Sequence, residues 1–427
     1  MPDNPLHPEL AVLSTLADTA SDSQSSFVKY RSLLFPYRVA LSAGMTDSEY
    51  VTLVTTLDAS IKSLDGAGFH STPLTYDKSL NALVKNETGS VAQSHKARHL
   101  FNLMTYLLVL QRTDPAQSTM KQTRRLAVAS CGNAGLAAAT IAAAAAWPID
   151  VCIPTDADAA VVAKLQSLGS TVNIVPCARE VATVETPFGR VAADTEADPT
   201  VAVFKNLVKN HNSIPFSVQG SECGMAVEGM HTLAWEILEQ AKELGFEGEF
   251  AELFIQIGGG ALGAGLNQGM ERSANGDVAV ALGAAGGGEV GLEKAPRLVC
   301  VQAEGNAPLN RAYRRMEEMD LKAEDAAKSR KDFMYPWSNP SSVASGILDD
   351  ETYDWVELTR GMQRSGGKTL VVTDDSIRAA NSYIKETHGV NACHTGSVGM
   401  AGLMTARKGG GEGGAPASVV FSGVDRG

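Results

Sequence analysis

Residues 124–140 read RRLAVASCGNAGLAAAT. The first seven have the short apolar run of a strand, and from Gly132–Asn133 an Ala-rich stretch has the composition of a helix. Between them, Ser130, Cys131, Gly132 and Asn133 supply the small and amide residues of a tight turn. A strand that feeds a helix through such a turn leaves backbone N–H groups unpaired at the helix start, a ready place for an anion. By itself the stretch is equally a plain helix start with Asn at a turn.

Working outward, the alternation continues. Leu126–Ala129 reads as strand, Gly132–Ala146 as helix, Asp150–Ile153 as strand, Asp158–Leu168 as helix and Thr171–Val175 as strand. This βαβαβ order predicts an α/β protein with a parallel sheet covered by helices. A second such region starts at FIQI (254–257), followed by GGGALGAG (258–265), RLVCVQAE (297–304) and ASVVFSG (417–423). Upstream, residues 1–70 read as mostly helical, with Thr46-Asp-Ser-Glu as a helix start. A strand is expected in ALVKNE (82–87) and a helix from near Ser94 through HKARHLFNLMTYLLVL. The Gly-rich stretches 273–295 and 408–416 read as linkers.

A chain of 427 residues predicts two domains. Its net charge of −12 argues against nucleic acid or an anionic membrane surface as partner. Six cysteines stand without a C-x-x-C pair, which fits a reducing compartment and offers neither a disulfide framework nor a zinc ribbon. The start, MPDNPLHPEL, lacks the pattern of a signal peptide, and the run Ala134–Trp147 is too short to span a bilayer. A cytoplasmic location is the expectation.

Three stretches carry candidate chemistry. Gly258, Gly260 and Gly263 satisfy G-x-G-x-x-G after a strand. A dinucleotide site also needs an acidic residue closing the next strand about 20 residues on. Asp277 opens a strand-like run instead, and Glu304 is too distant, so a dinucleotide turn and a plain tight turn without ligand are both weaker readings than a phosphate turn. His95 and His99 have the spacing of a zinc pair, yet Lys96 stands where a metalloprotease needs Glu. Lys96, near a helix start, is the more telling residue: burial and the positive helix end both favour a neutral, nucleophilic amine. Taken alone, a solvated lysine on an amphipathic helix is the simpler reading.

In order, these pieces resemble the fold-type II pyridoxal-phosphate enzymes, the tryptophan synthase β superfamily with its threonine synthases and serine/threonine dehydratases. The resemblance runs from TPL at 72 to SG at 422. LVKNE (83–87) is similar to a strand ending in Lys-x-Glu, and Lys96 follows Glu87 by the family's spacing. Ser94-His95-Lys96 resembles Ser-Phe-Lys, with Arg98 a frequent basic residue just after. SCGNAG resembles the Ser-x-Gly-Asn loop and GGGALGAG the phosphate cup. VEGMHTLAWEILEQ (227–240), VQAEGNAPL, SVASGILDD and VVTDDSI also find counterparts. Departures are Gln93 where Gly is usual, His95 for the aromatic residue, Cys131 in the carboxylate loop and Ala261 in the cup.

The resemblance implies a two-domain fold-type II enzyme with pyridoxal 5'-phosphate on Lys96. A helical appendage is expected over 1–70, a large cofactor domain over 71–96 and 206–427, and a small mobile domain over 97–205. The cup of Gly258, Gly259, Gly260, Ala261, Leu262 and Gly263 would take the cofactor phosphate. Asn133 would touch the ring oxygen and Ser422 the ring nitrogen. Ser130, with the N–H groups of Cys131, Gly132, Asn133 and Ala134, would hold the substrate α-carboxylate, while Ser94, His95 and Cys131 face the reacting amino acid. The expected partner is a small amino acid, and the expected assembly a homodimer with the N-terminal helices in its contacts. The expected reaction is β-elimination from a β-hydroxy amino acid, an ammonia-lyase (dehydratase) activity. A β-replacement synthase of threonine or cysteine synthase type is the alternative. A non-enzymatic cofactor- or nucleotide-binding protein is disfavoured by Lys96.

Overall fold

The structure is a computed structural model, described over residues 25–426 apart from 170, 178–182, 187–188, 193–198, 221–222, 247–249, 277–291, 293 and 409–413. Most of both expected Gly-rich linkers falls outside the described residues. Of the first, Ser273 and Ala274 close a helix, Ala261–Ala274.

The N-terminal helices pack onto the rest of the chain. Helix Asp47–Asp65 begins where expected: Thr46 Oγ1 accepts the Glu49 N–H at 3.3 Å, and Glu49 Oε2 accepts the Thr46 N–H at 2.8 Å. This reciprocal pairing satisfies two of the helix's orphan donors. Gly66, at φ 88°, ends the helix in the left-handed region that favours glycine.

Among the described residues twelve strands follow: β1 (Leu74–Asp77), β2 (Ala82–Asn86), β3 (Leu126–Ala129), β4 (Ile149–Pro154), β5 (Val172–Cys177), β6 (Thr183–Thr186), β7 (Gly189–Ala192), β8 (Ile214–Pro215), β9 (Glu252–Gln256), β10 (Arg297–Ala303), β11 (Lys368–Val372) and β12 (Ala417–Phe421). The larger sheet has the order β1-β2-β12-β9-β10-β11, and all its pairs except the β1–β2 hairpin are parallel. The smaller, β5-β4-β3-β8, is parallel throughout. Every residue of β9 and β12 is buried, as the central strands of a sheet covered on both faces must be. The small sheet takes in β8, past the boundary expected at 205. A two-residue strand ending in proline has no alternation to read.

In parallel sheets the strand carboxyl ends share one edge, and ligands bind in the crevice there. Here β2, β12 and β9 are neighbours, so Glu87, Ser422 and Gly258 follow one another along one edge. Ser130 holds the same place on β3 of the other sheet. No helix among the described residues is long and apolar enough to cross a membrane.

Candidate active site

Lys96 is the first residue of the helix Lys96–Thr113. The entry to this helix is stitched to the end of β12. Ser94 bridges Gly423, the His95 N–H donates to the Ser422 carbonyl at 3.1 Å, and His95 Nδ1 reaches the same oxygen at 2.9 Å. Burial pulls the Lys96 ammonium below its ordinary pKa, and Asp349 and Asp354 offset only part of this. A neutral amine, the form that attacks a carbonyl, is thereby favoured.

The neighbouring histidines do not form a metal pair. A carbonyl only accepts, so His95 Nδ1 carries the proton toward Ser422 and His99 Nδ1 toward Ala226, at 2.7 Å. Burial, with Lys96 nearby, holds His95 well below its usual pKa and brings His99 down to about 3. Both rings are therefore neutral, their centroids 5.7 Å apart, and each Nε2 is a buried acceptor without a partner. No group of three metal-ligating side chains occurs among the described residues.

Behind Lys96 lies a buried charge network. Arg98 Nε and Nη2 donate to Glu87 at 2.8 and 3.0 Å, and its Nη1 donates to Glu236 at 2.7 Å. Lys85 Nζ reaches Glu236 at 2.7 Å as well, so two cations balance two carboxylates. Burial alone would raise the Glu236 pKa, but Arg98 and Lys85 bring it down to about 2. Ser26 also bonds Glu236 and Lys29 pairs with Glu239, so the N-terminal helices brace this network from outside.

The Gly-rich stretch leaves β9 and opens the helix Ala261–Ala274, with Gly260 at φ 106°. A Cβ on Gly258 would stand 2.5 Å from Asp349 Oδ2, one on Gly259 2.9 Å from the Tyr353 ring, and one on Gly260 3.1 Å from the Asp354 Cβ. The loop 347–354 thus lies directly on this cup. Asn306 pins it by donating to the Ile347 and Asp349 carbonyls at 3.0 and 2.8 Å, and the Asp354 N–H donates to the Gly259 carbonyl at 2.9 Å. The Asp349 side chain lies against Gly258 and Gly259. Burial raises the pKa of Asp349 and carries Asp354 up to about 6.

On the smaller sheet, helix Asn133–Ala144 begins without a side-chain cap. Ser130 Oγ accepts the Gly132 N–H at 3.3 Å, and Cys131 is exposed. Asn133 Nδ2 lies against Gly423, where a Cβ would stand 2.9 Å from it. The structure therefore brings Lys96, Ser94, His95, Asn133 and Ser422 to one place, with the glycine cup reached through Asp349 and Asp354. Lys121, Arg124 and Arg125 are tied to the Ala145 carbonyl, the Asn212 carbonyl and Asp150, below the start of β3 and away from Ser130. Sequence reasoning missed Asp349 and Asp354. It matched SVASGILDD by family likeness without assigning its acids, and nothing local marks two aspartates as lying on a glycine turn more than 80 residues away.

These residues suit a cofactor with an aldehyde and a phosphate. A deprotonation-prone amine is in place, Ser94 Oγ is buried without a partner, and the glycine cup is a cradle that a Cβ at Gly258 or Gly259 would fill. The chain matches the family of pyridoxal-phosphate dependent enzymes over residues 68–423 and belongs to it. Within that family it has the two-sheet fold of the fold-type II enzymes, and its cofactor is pyridoxal 5'-phosphate. It is similar to the structure of maize serine racemase, with a TM-score of 0.57 and 18% identity over 86% of this chain and 94% of that one. It is also similar to threonine deaminase isoform 2 of Solanum lycopersicum, with a TM-score of 0.59 and 16% identity over 90% and 91% of the two chains. By sequence it is 26% identical to threonine synthase of Mycobacterium leprae over 119 residues, 28% of this chain and 27% of that relative's length.

Proposed function

We propose that the protein is an ammonia-lyase that removes the β-hydroxyl and the amine of a serine- or threonine-like amino acid, giving a keto acid and ammonia. The observation that carries this reading is the strand end at Ser422. Its carbonyl is held by His95, next to Lys96, so a hydroxyl residue stands beside the cofactor lysine where a carboxylate would act differently. The cofactor, when bound, supplies an electron sink for the bond broken at the α carbon. A hydroxyl partner, unlike a carboxylate, does not hold the ring nitrogen protonated, and a weaker sink favours prompt loss of the β-substituent.

In this reading the N–H groups opening helix Asn133–Ala144, with Ser130, hold the substrate α-carboxylate. Lys96 Nζ takes the α proton as general base, its neutral form favoured by burial. The Cβ–O bond breaks and the hydroxyl leaves as water. Hydrolysis of the resulting enamine-level product takes up one water and yields keto acid and ammonia. The small lobe, carrying Asn133, closes on the lobe carrying Lys96 and excludes water until elimination is complete.

The test is an assay of the pure holoenzyme for keto acid and ammonia across β-hydroxy amino acids of both configurations. Release from at least one supports the lyase. Inversion of configuration without release makes the protein a racemase. Joining of a nucleophile to a substrate with an activated β-substituent makes it a synthase.

A further inference from the structure

Arg426, after β12, reaches back across the site. Its Nε and Nη2 donate to Asn133 Oδ1 at 3.2 and 3.1 Å. Its Nη1 donates to Gln93 Oε1 at 3.0 Å, and Nη2 also donates to the Ala92 carbonyl at 2.7 Å. All these acceptors are neutral oxygens, and Asp65 acts on the guanidinium by its charge without accepting any of these hydrogen bonds. A charged group is thus spent on orienting amides.

The consequence lies in the asymmetry of a carboxamide. One end of Asn133 accepts and the other donates, and alone it can turn over at little cost. A guanidinium has donors only, so a two-pronged contact with Asn133 admits only the oxygen. The amide N–H group is then forced the other way, and Nδ2 lies against Gly423, at the strand end beside Ser94. A donor aimed there suits an anionic ring oxygen, whereas the flipped amide would present a repelling lone pair. Arg426 also holds Ala92 and Gln93, both left-handed at φ 52° and 53°, a conformation that costs energy without glycine and needs external support.

We propose that Arg426 is a positioning residue that fixes the Asn133 carboxamide with its donor end toward the cofactor ring. It acts through Asn133 and does not depend on which reaction the enzyme runs, so failure of the lyase reading leaves it standing.

The test uses Arg426→Met, Arg426→Lys, Asn133→Ala and the Asn133→Ala/Arg426→Met double variant, reconstituted with pyridoxal 5'-phosphate. The visible absorbance of the bound cofactor is titrated against pH, and the cofactor dissociation constant is measured on apoprotein by fluorescence. Loss of one oriented hydrogen bond should move the titration midpoint by about one pH unit. It should also weaken cofactor binding about fivefold. Arg426→Met should shift both in the direction of Asn133→Ala, and the double variant should shift no further than Asn133→Ala alone. Arg426→Lys, which keeps the charge with one prong, should recover part of the shift, and it decides the matter if the Met variant does not fold. A wild-type midpoint in the Arg426 variants, or shifts that add in the double variant, would overturn the proposal.

Discussion

Glu87 and Arg98 are joined by two hydrogen bonds of 2.8 and 3.0 Å, both side chains buried, with Arg98 two residues beyond Lys96. Glu236 takes another edge of the same guanidinium. Removing the arginine leaves two buried carboxylates with one lysine between them. Arg98→Met should therefore destabilise the apoprotein by about 3–5 kcal/mol in urea unfolding. A loss below ~1 kcal/mol would show that the carboxylates find other partners.

The same network sets an acid limit. Glu236 is depressed from 4.5 to about 2, so its contribution is present above the ordinary carboxylate range and is lost as the pH falls toward 2. Thermal melts of wild type and Glu236→Gln should differ most above pH 5 and converge toward pH 2, following that titration. A pH-independent difference would assign the effect to packing alone.

Lys96 is the amine expected to hold the cofactor. Borohydride reduction of the holoenzyme should fix the cofactor on the peptide containing Lys96, and Lys96→Ala should retain none after denaturation. The variant should also lose at least about a hundredfold in kcat through loss of the general base. A labelled peptide elsewhere in the chain would move the site.

The glycine cup makes a steric prediction. A side chain at Gly259 meets the Tyr353 ring at 2.9 Å from its Cβ onward. Overpacking of this kind costs about 1–3 kcal/mol. Gly259→Val should therefore weaken cofactor binding by about 5- to 100-fold while the apoprotein stays folded. Unchanged affinity in a titration of apoprotein would remove this turn from the phosphate site.

Asp354 gives an opposite pH signature. Burial raises it to about 6, so the stability linked to its protonated form is full below 3.8 and is lost as the pH rises through about 6. Asparagine keeps an acceptor for the Gly220 N–H, which Asp354 Oδ2 takes at 3.3 Å, and cannot ionise. Asp354→Asn should bind cofactor more tightly than wild type at pH 8 and nearly equally at pH 5. An equal ratio at both would show that the carboxylate does not repel the phosphate.

The sequence made the central sheets legible because their signal is local. Leu126–Ala129 is the strand expected, and β4, β5, β9, β10 and β12 lie within a few residues of the apolar runs that announced them. The short hairpin strand β1, with burial that does not alternate, offered no such run, and the two-residue β8 was too brief. At the site, Lys96 and the two turns at Ser130 and Gly258 were singled out by the order of several motifs together, since each taken alone had a plainer reading. Asp349, Asp354 and Arg426 were not, because their importance arises from contacts with residues far away in the chain. A lone aspartate or arginine carries no periodicity. Only folding shows that Arg426 addresses Asn133 and that two acids sit on a glycine turn.

The tether between His95 and the Ser422 carbonyl has a mechanical consequence. It fastens the beginning of the helix that opens with Lys96 to the end of β12. The spacing between Lys96 and Ser422 is then set by the fold itself. A substitution that loosens this tether therefore lets the Lys96 helix start and the end of β12 shift against each other, whatever reaction they serve.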